Sequence, residues 1–217
     1  MINLRRLTKF TLAALFGLSM LSGCTSTPAP TLYPAVVQSA AEASAWELKG
    51  KLLIHSGDDK LTANLYWLKS PDYQELRLSS MLGTTVLLLI ETPKGATLEL
   101  DGNSYQDSSA QALLDAMSTF PLPLKSLPLW ITGQTMADDR VEWDSEGRPA
   151  HIYSHDGLWH IRIASWQQQS GALVPKLLEL IHPKARLKLQ THQWQALTNT
   201  GASKSSSNLG ATTGVQP

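Results

Sequence analysis

The chain of 217 residues contains a single cysteine, Cys24. One thiol excludes a disulfide framework. Its 18 basic and 18 acidic residues cancel. A neutral chain offers no basic footprint for nucleic acid, and none is expected as a partner. No apolar run reaches the roughly 20 residues of a membrane-spanning helix. Gly-x-Ser-x-Gly, a Walker loop and a dinucleotide fingerprint are all missing. The chain is therefore expected not to be an enzyme, with no catalytic residues, no metal and no cofactor beyond a lipid on Cys24.

The N-terminus is distinctive. Arg5, Arg6 and Lys9 stand in a segment without acids, and an apolar stretch runs from Leu12 to Leu21. A basic head and a short apolar core describe a signal peptide. Leu21-Ser22-Gly23-Cys24 then reads as a bacterial lipobox, with cleavage before Cys24 and diacylglycerol on its sulfur. Removing residues 1–23 takes away three bases and no acids, leaving 15 bases against 18 acids. Thr25 follows the cysteine, where an Asp would signal inner-membrane retention. Outer-membrane anchoring on the periplasmic face of a Gram-negative cell is expected, because multiple acyl chains hold firmly.

Residues 24–34 form a Pro-rich tether, and 198–217 read as a disordered polar tail. The folded domain is expected over 35–197. Its first stretch, 35–45, is Ala-rich and helix-prone. Beyond it the pattern is mainly β. Trp46, Leu48, Gly50, Leu52 and Ile54 alternate with Glu47, Lys49 and Lys51. Leu61, Ala63, Leu65 and Trp67 share one face, as do Leu76 and Leu78. With turn signals at Asp101-Gly102, Ser145–Gly147 and Asp156-Gly157, the pattern gives about ten or eleven short antiparallel strands in all. A helical interruption covers 108–133, with a Ser cap and Leu113, Leu114 and Met117 at helical spacing. The fold class is thus mainly β with a few helices. The helices pack as a lid over the concave face of a curved, unclosed sheet, since both need an apolar partner.

Histidines and acids carry little chemistry. With a two-residue turn at Asp156-Gly157, Tyr153 pairs with His160 and His151 with Arg162. His151, His155 and His160 then share a polar outer face. His155 and His160 sit diagonally, about 7 Å apart, without a third ligand. Ile152, Trp159, Ile161 and Ile163 take the core face. Asp58-Asp59 and Asp138-Asp139 read as solvated loop acids. The seven tryptophans are more informative. Most suit ordinary core packing. Trp67, on an inward row, and Trp130, on the lid segment, are candidates to line an acyl-chain cavity. The inward residues Leu76, Leu78, Leu87 and Leu89 join them, leaving Val86, Leu88 and Ile90 outside.

The tip Met81-Leu82-Gly83 is apolar where a turn should be polar. Gly83 permits a sharp bend and Leu82 is read as an exposed probe.

Three ordered pieces, "RLSSMLGTTVLLL", "PLPLKSLPLWITG" and "VPKLLELIHPKARLKLQTHQW", resemble the outer-membrane lipoprotein LolB family through most of residues 46–194. The resemblance implies an incomplete antiparallel barrel, capped by helices, around a hydrophobic cavity. It implies a monomer that accepts acylated lipoproteins from the soluble carrier LolA. It also implies that the cargo is released into the inner leaflet of the outer membrane, among its phospholipids. By position, Leu82 matches the family's membrane-inserting leucine. Met81 stands where the family pattern has proline, and adds apolar surface. A lipid-sensing or structural envelope lipoprotein on the same fold is the alternative.

Overall fold

The computed structural model describes residues 29–118 and 121–199. The signal peptide, Cys24 and most of the polar tail lie outside the described residues. The chain divides into a unit of residues 1–30 and a unit of 31–217. Everything below concerns the second.

Among the described residues twelve strands follow one another: β1 Tyr33–Pro34, β2 Ala45–Ser56, β3 Asp59–Ser70, β4 Tyr73–Ser79, β5 Thr85–Thr92 and β6 Gly95–Leu100, then β7 Asn103–Asp107, β8 Arg140–Trp143, β9 Pro149–Tyr153, β10 His160–Gln169, β11 Ala172–His182 and β12 Ala185–Thr198. Hairpins link β2 through β7 into one antiparallel meander, and β8 through β12 into another. Pairing of β12 with β2 joins the two meanders into one sheet. Among the described residues β7 and β8 are left as open edges. The connection between them carries both helices, α1 Ala110–Met117 and α2 Leu127–Ile131. A chain that must cross from one free edge to the other passes over the opening, so the helices cap the concave face.

Alternation sets which residues reach the core. Trp46, Leu48, Ala63, Leu65, Trp67, Leu89, Leu98, Ile152, Ile161, Leu178, Leu187 and Trp194 are all buried in one cluster on the inner face. The β9–β10 turn places Tyr153 opposite His160 and His151 opposite Arg162, the register expected from Asp156-Gly157. Ser109 caps α1, its hydroxyl accepting from the Ala112 N–H at 3.2 Å. Glu91 of β5 accepts from the Ala110 N–H at 2.8 Å. An anion there also favours the positive end of the helix.

Two local expectations are corrected. Residues 35–45 form only a single 3-10 turn, Ala40–Glu42, rather than a helix. Their backbone is committed to the sheet: Ala35 N–H donates to Ala196 O at 2.8 Å and Val37 N–H to Ser170 O at 2.9 Å. So short a segment cannot repay helix nucleation against such bonds. Val86 does not belong to the outer face. A register shift between β4 and β5 falls where Leu78 pairs with Leu87 and Ser79 with Thr85, and Val86 packs against the main core. The bulge turns its side chain. Ile90 does face outward. It joins Ala45, Leu68, Tyr73, Leu197 and Leu32 in a small cluster on the convex side. This outer patch is partly covered by the incoming N-terminal segment.

Candidate functional site

A cavity of about 320 Å³ lies between sheet and helices. Leu52, Ile54, Leu61, Leu65 and Trp67 line it from β2 and β3. Leu76, Leu78 and Leu87 come from β4 and β5, and Leu98 and Leu100 from β6. Leu180, Leu187 and Leu189 close the far wall. Leu114, Met117, Leu122, Leu124, Leu127 and Ile131 form the roof. Ser118 is the one polar residue of this lining among the described residues. Such a space has few partners for water, which needs two to four polar neighbours. Apolar chains are its natural occupants.

Gln111 stitches the roof together. Its amide nitrogen donates to Leu122 O at 3.0 Å, and its carbonyl accepts from Leu124 N–H at 2.9 Å. Beyond α2, Gly133 has φ +80°, and a Cβ there would sit 2.6 Å from the Trp166 ring. Both the left-handed backbone and the close ring require glycine.

Of the expected lining residues, Trp67, Leu76, Leu78 and Leu87 are in place. Leu89 is not. It lies deeper, 1% exposed, and belongs to the main core rather than to the open space. Trp130 is not either. It is 1% exposed, its indole N–H donates to Asp139 at 2.8 Å, and its ring packs on Trp159 at 6.5 Å. A buried indole N–H usually finds an acceptor, and the one Trp130 finds lies outside the cavity lining, on Asp139. Asp139 is correspondingly not a simple solvated acid. It also accepts from Met136 N–H at 2.9 Å. Trp143 departs from core packing and stands 60% exposed. Leu114 and Met117 are the roof residues that helical spacing marks, while Leu187 and Leu189 of the far wall carry no cavity assignment from sequence. Their alternation in "RLKLQ" was the available signal.

The β4–β5 loop projects from the same end of the sheet. Ser80 N–H donates to Thr84 O at 2.8 Å, Gly83 N–H to Ser80 O at 3.0 Å, and the Asn64 amide to Ser80 O at 3.2 Å. These bonds fix the base and leave the tip free. Leu82 is 95% exposed and Met81 57%. Gly83 has φ +88° with open space around it, so the requirement for glycine there is conformational. The tip does not fold back onto the core. Through the pairings, Ser79 is level with Asn64, Lys51 and Gln190. The cavity residues Ile54, Leu61 and Leu187 lie still nearer this end. The apolar space and the apolar tip therefore share one pole.

The histidines group differently from expectation. His160 meets His151, not His155: Nδ1 of His151 and Nε2 of His160 are 2.9 Å apart. His160 also stacks on Tyr153 at 4.4 Å, and the Arg140 guanidinium lies 3.7 Å over the other aromatic, Tyr153. Strand pairing of Tyr153 with His160 brings the diagonal His151 within reach, while His155 is carried into the turn. Burial lowers the pKa of His160, and the charge of His151 lowers it further. Burial likewise lowers that of His182, with Lys184 adding to it. Both shifts favour the neutral ring in the fold. The unfolded chain takes up protons first, so stability is full above about pH 6.5 and is lost on acidification below it. Melting temperature should fall between about pH 7 and pH 5, and His160→Gln should flatten that slope.

No described helix is long and apolar enough to cross a membrane. A family model described as outer membrane lipoprotein LolB matches residues 44–194. The outer-membrane lipoprotein LolB of Shewanella amazonensis is 60% identical over 204 residues, covering 94% of this chain and 99% of the relative. That of Shewanella sp. strain MR-4 is 51% identical over 201 residues, covering 90% and 94%. Among solved structures, a LolA-superfamily protein from Nitrosomonas europaea aligns with TM-score 0.43 and 11% identity, over 74% of this chain and 87% of its own. A putative outer membrane lipoprotein-sorting protein domain from Vibrio parahaemolyticus aligns at 0.41 and 10%, over 70% and 84%.

Proposed function

The chain belongs to the outer-membrane lipoprotein LolB family and is an outer-membrane lipoprotein acceptor; on that premise we propose that the cavity holds the acyl chains of cargo and that Leu82 opens the way into the bilayer. Its chief support is the common pole of the apolar cavity and the exposed Leu82 tip. Cargo arrives from LolA and leaves for the inner leaflet of the outer membrane. Phospholipid is then the second partner, and lipid on Cys24 holds the protein to the periplasmic face.

Acyl chains are costly in water, so they pass from cavity to cavity and then to lipid. Burial is worth about 0.8 kcal/mol per methylene, which makes the bilayer the downhill end. Leu82 adds only ~1.5–3 kcal/mol on insertion. That is too little to anchor a domain and enough to bias a tethered one. No covalent bond forms or breaks at any step. The residues Leu76, Leu78 and Leu87 supply apolar wall without a polar group, and Trp67 adds its ring, its indole N–H being buried without a partner among the described residues.

The deciding experiment is transfer of a purified acylated lipoprotein from LolA to this protein, with and without liposomes. A photocrosslinker at Leu87 should trap acylated cargo and should not trap the same cargo stripped of lipid. Equal trapping of both would remove the cavity from the reading.

A further inference from the structure

Tyr33, where the chain enters the sheet, and the mouth sit at opposite poles. Tyr33 pairs with Thr198 at the last residue of β12, whereas the base of the Leu82 loop is level with Gln190. Eight positions of β12, from 190 to 198 and including a bulge, separate the two levels, about 23–26 Å at strand rise. Leu82 stands two to three residues further out. The separation along the strands is therefore about 30 Å or more. Nine residues join Cys24 to Tyr33, and fully extended they reach at most ~30–32 Å. If the strands stood upright on the membrane, with Leu82 in lipid and Cys24 anchored, the tether would be at its limit. At polyproline II rise it reaches only ~28 Å.

The convex face has a chemistry of its own, concentrated toward the mouth, where Lys51, Lys60, Arg186 and Lys188 lie level with or beyond the base of the Leu82 loop. On the convex side of β2, β3, β4 and β12, alternation places Lys49, Lys51, Lys60, Arg77, Arg186 and Lys188 outward, all exposed. On these strands Glu47 and Glu75 oppose them, and Glu179 of the neighbouring β11, itself paired with Arg162, lies 4.0 Å from Lys188. Glu47 and Glu75 are less exposed and already engaged, Glu47 by Lys49 at 3.1 Å and Glu75 by Arg77. Six bases against three engaged acids leave a cationic surface. Leu53, Tyr66, Leu88 and Ile90 lie half-buried among them.

We propose that the convex face of β2, β3, β4 and β12 is a membrane-contact surface that binds anionic phospholipid headgroups. The domain lies on its side against the leaflet, between its N-terminal tether and the Leu82 tip. This rests on the reading that Cys24 is lipidated and Leu82 enters lipid. The pose keeps the helical roof turned away from the membrane. Cargo is then received from the periplasmic side, while the mouth stays at the lipid surface.

Lipid on Cys24 blocks the native thiol, so one engineered cysteine can be labelled at a time. Single labels at Lys51→Cys, Leu82→Cys and Ala116→Cys (on α1) test the pose in the lipidated full chain. The vesicles are phosphatidylethanolamine with a minority of phosphatidylglycerol, carrying a headgroup-level quencher. Quenching at position 51 should be several-fold greater than at 116, and should fall as salt rises or phosphatidylglycerol is omitted. Each juxtamembrane base changes adsorption about fivefold. Lys51→Glu with Lys188→Glu should therefore weaken vesicle adsorption of the lipid-free chain by at least about tenfold. Quenching at 82 with position 51 no different from 116 means an upright domain and overturns the proposal, leaving the role of Leu82 intact. Quenching at 51 without 82 upholds the convex face and removes the role of Leu82. Quenching at neither overturns both.

Discussion

Leu82→Glu will leave the protein folded and able to take cargo, and will cut delivery into liposomes by at least about tenfold. The side chain is 95% exposed and makes no contribution to the core. Surface changes away from special features usually shift stability by within about 0.5 kcal/mol. Neither cap nor turn bond depends on it, because Ser80, Thr84 and Asn64 hold the loop base. What is lost is the ~1.5–3 kcal/mol of apolar insertion. Every 1.4 kcal/mol is a factor of ten, and a carboxylate at a lipid interface adds a further opposing term. The assay follows acylated cargo from LolA to the protein and then to liposomes. Cargo should accumulate on the variant. Leu82→Ile should behave as wild type, because it keeps the apolar surface. Unimpaired delivery by Leu82→Glu would mean that the exposed tip has another task.

Trp130→Ala should be the most damaging single truncation outside the cavity. The indole is 1% exposed and packs against Trp159. Its N–H is bonded to Asp139 at 2.8 Å. Large-to-small changes at Trp cost about 3–5 kcal/mol. A domain of this kind has only about 5–15 kcal/mol in total. The truncation also removes the anchor of α2, whose Leu127 and Ile131 roof the cavity. Urea unfolding followed by circular dichroism should show a midpoint far below wild type. Trp130→Phe should fall between the two. It keeps most of the ring but leaves Asp139 short of one donor, at a cost of ~1.5–3 kcal/mol for a hydrogen bond to a charged group. Similar midpoints for Ala and Phe would show that the hydrogen bond, and not the ring, is what matters.

Periodicity made the sheet readable, and depth was what it left out. The alternation of β2 and β3 put Leu48, Ala63, Leu65 and Trp67 on the correct face. Asp156-Gly157 fixed the β9–β10 register. Alternation assigns a face and says nothing about how far along it a cavity extends. Leu87 and Leu89 are therefore equivalent in sequence, yet only Leu87 reaches the open space. The bulge at Val86 breaks the period within a run that is apolar at every position, so no pattern marks it. Trp130 misled for a different reason. Its ring follows the acceptor on Asp139, nine residues later, and that pairing is tertiary. The Ala-rich 35–45 segment has helix propensity, but its backbone bonds are claimed by Ala196 and Ser170, remote in sequence. The loop tip was legible from its composition. The task proposed for it rests on the family resemblance.

The seam between β2 and β12 has a consequence for how the molecule is made. Leu48 pairs with Trp194, 146 positions later, while nearly every other strand pairs with its neighbour in the chain. Closing so long a loop costs entropy before any contact repays it, and contacts of high sequence separation slow folding. The N-terminal end of the domain emerges first during secretion, and β12 emerges last. Until it arrives, β2 is a bare strand edge, and the leucines of a half-built wall face water beside it. Such intermediates are prone to aggregation. A protein that moves greasy cargo between other hands is thus, during its own biogenesis, in need of shelter until its final strand is in place.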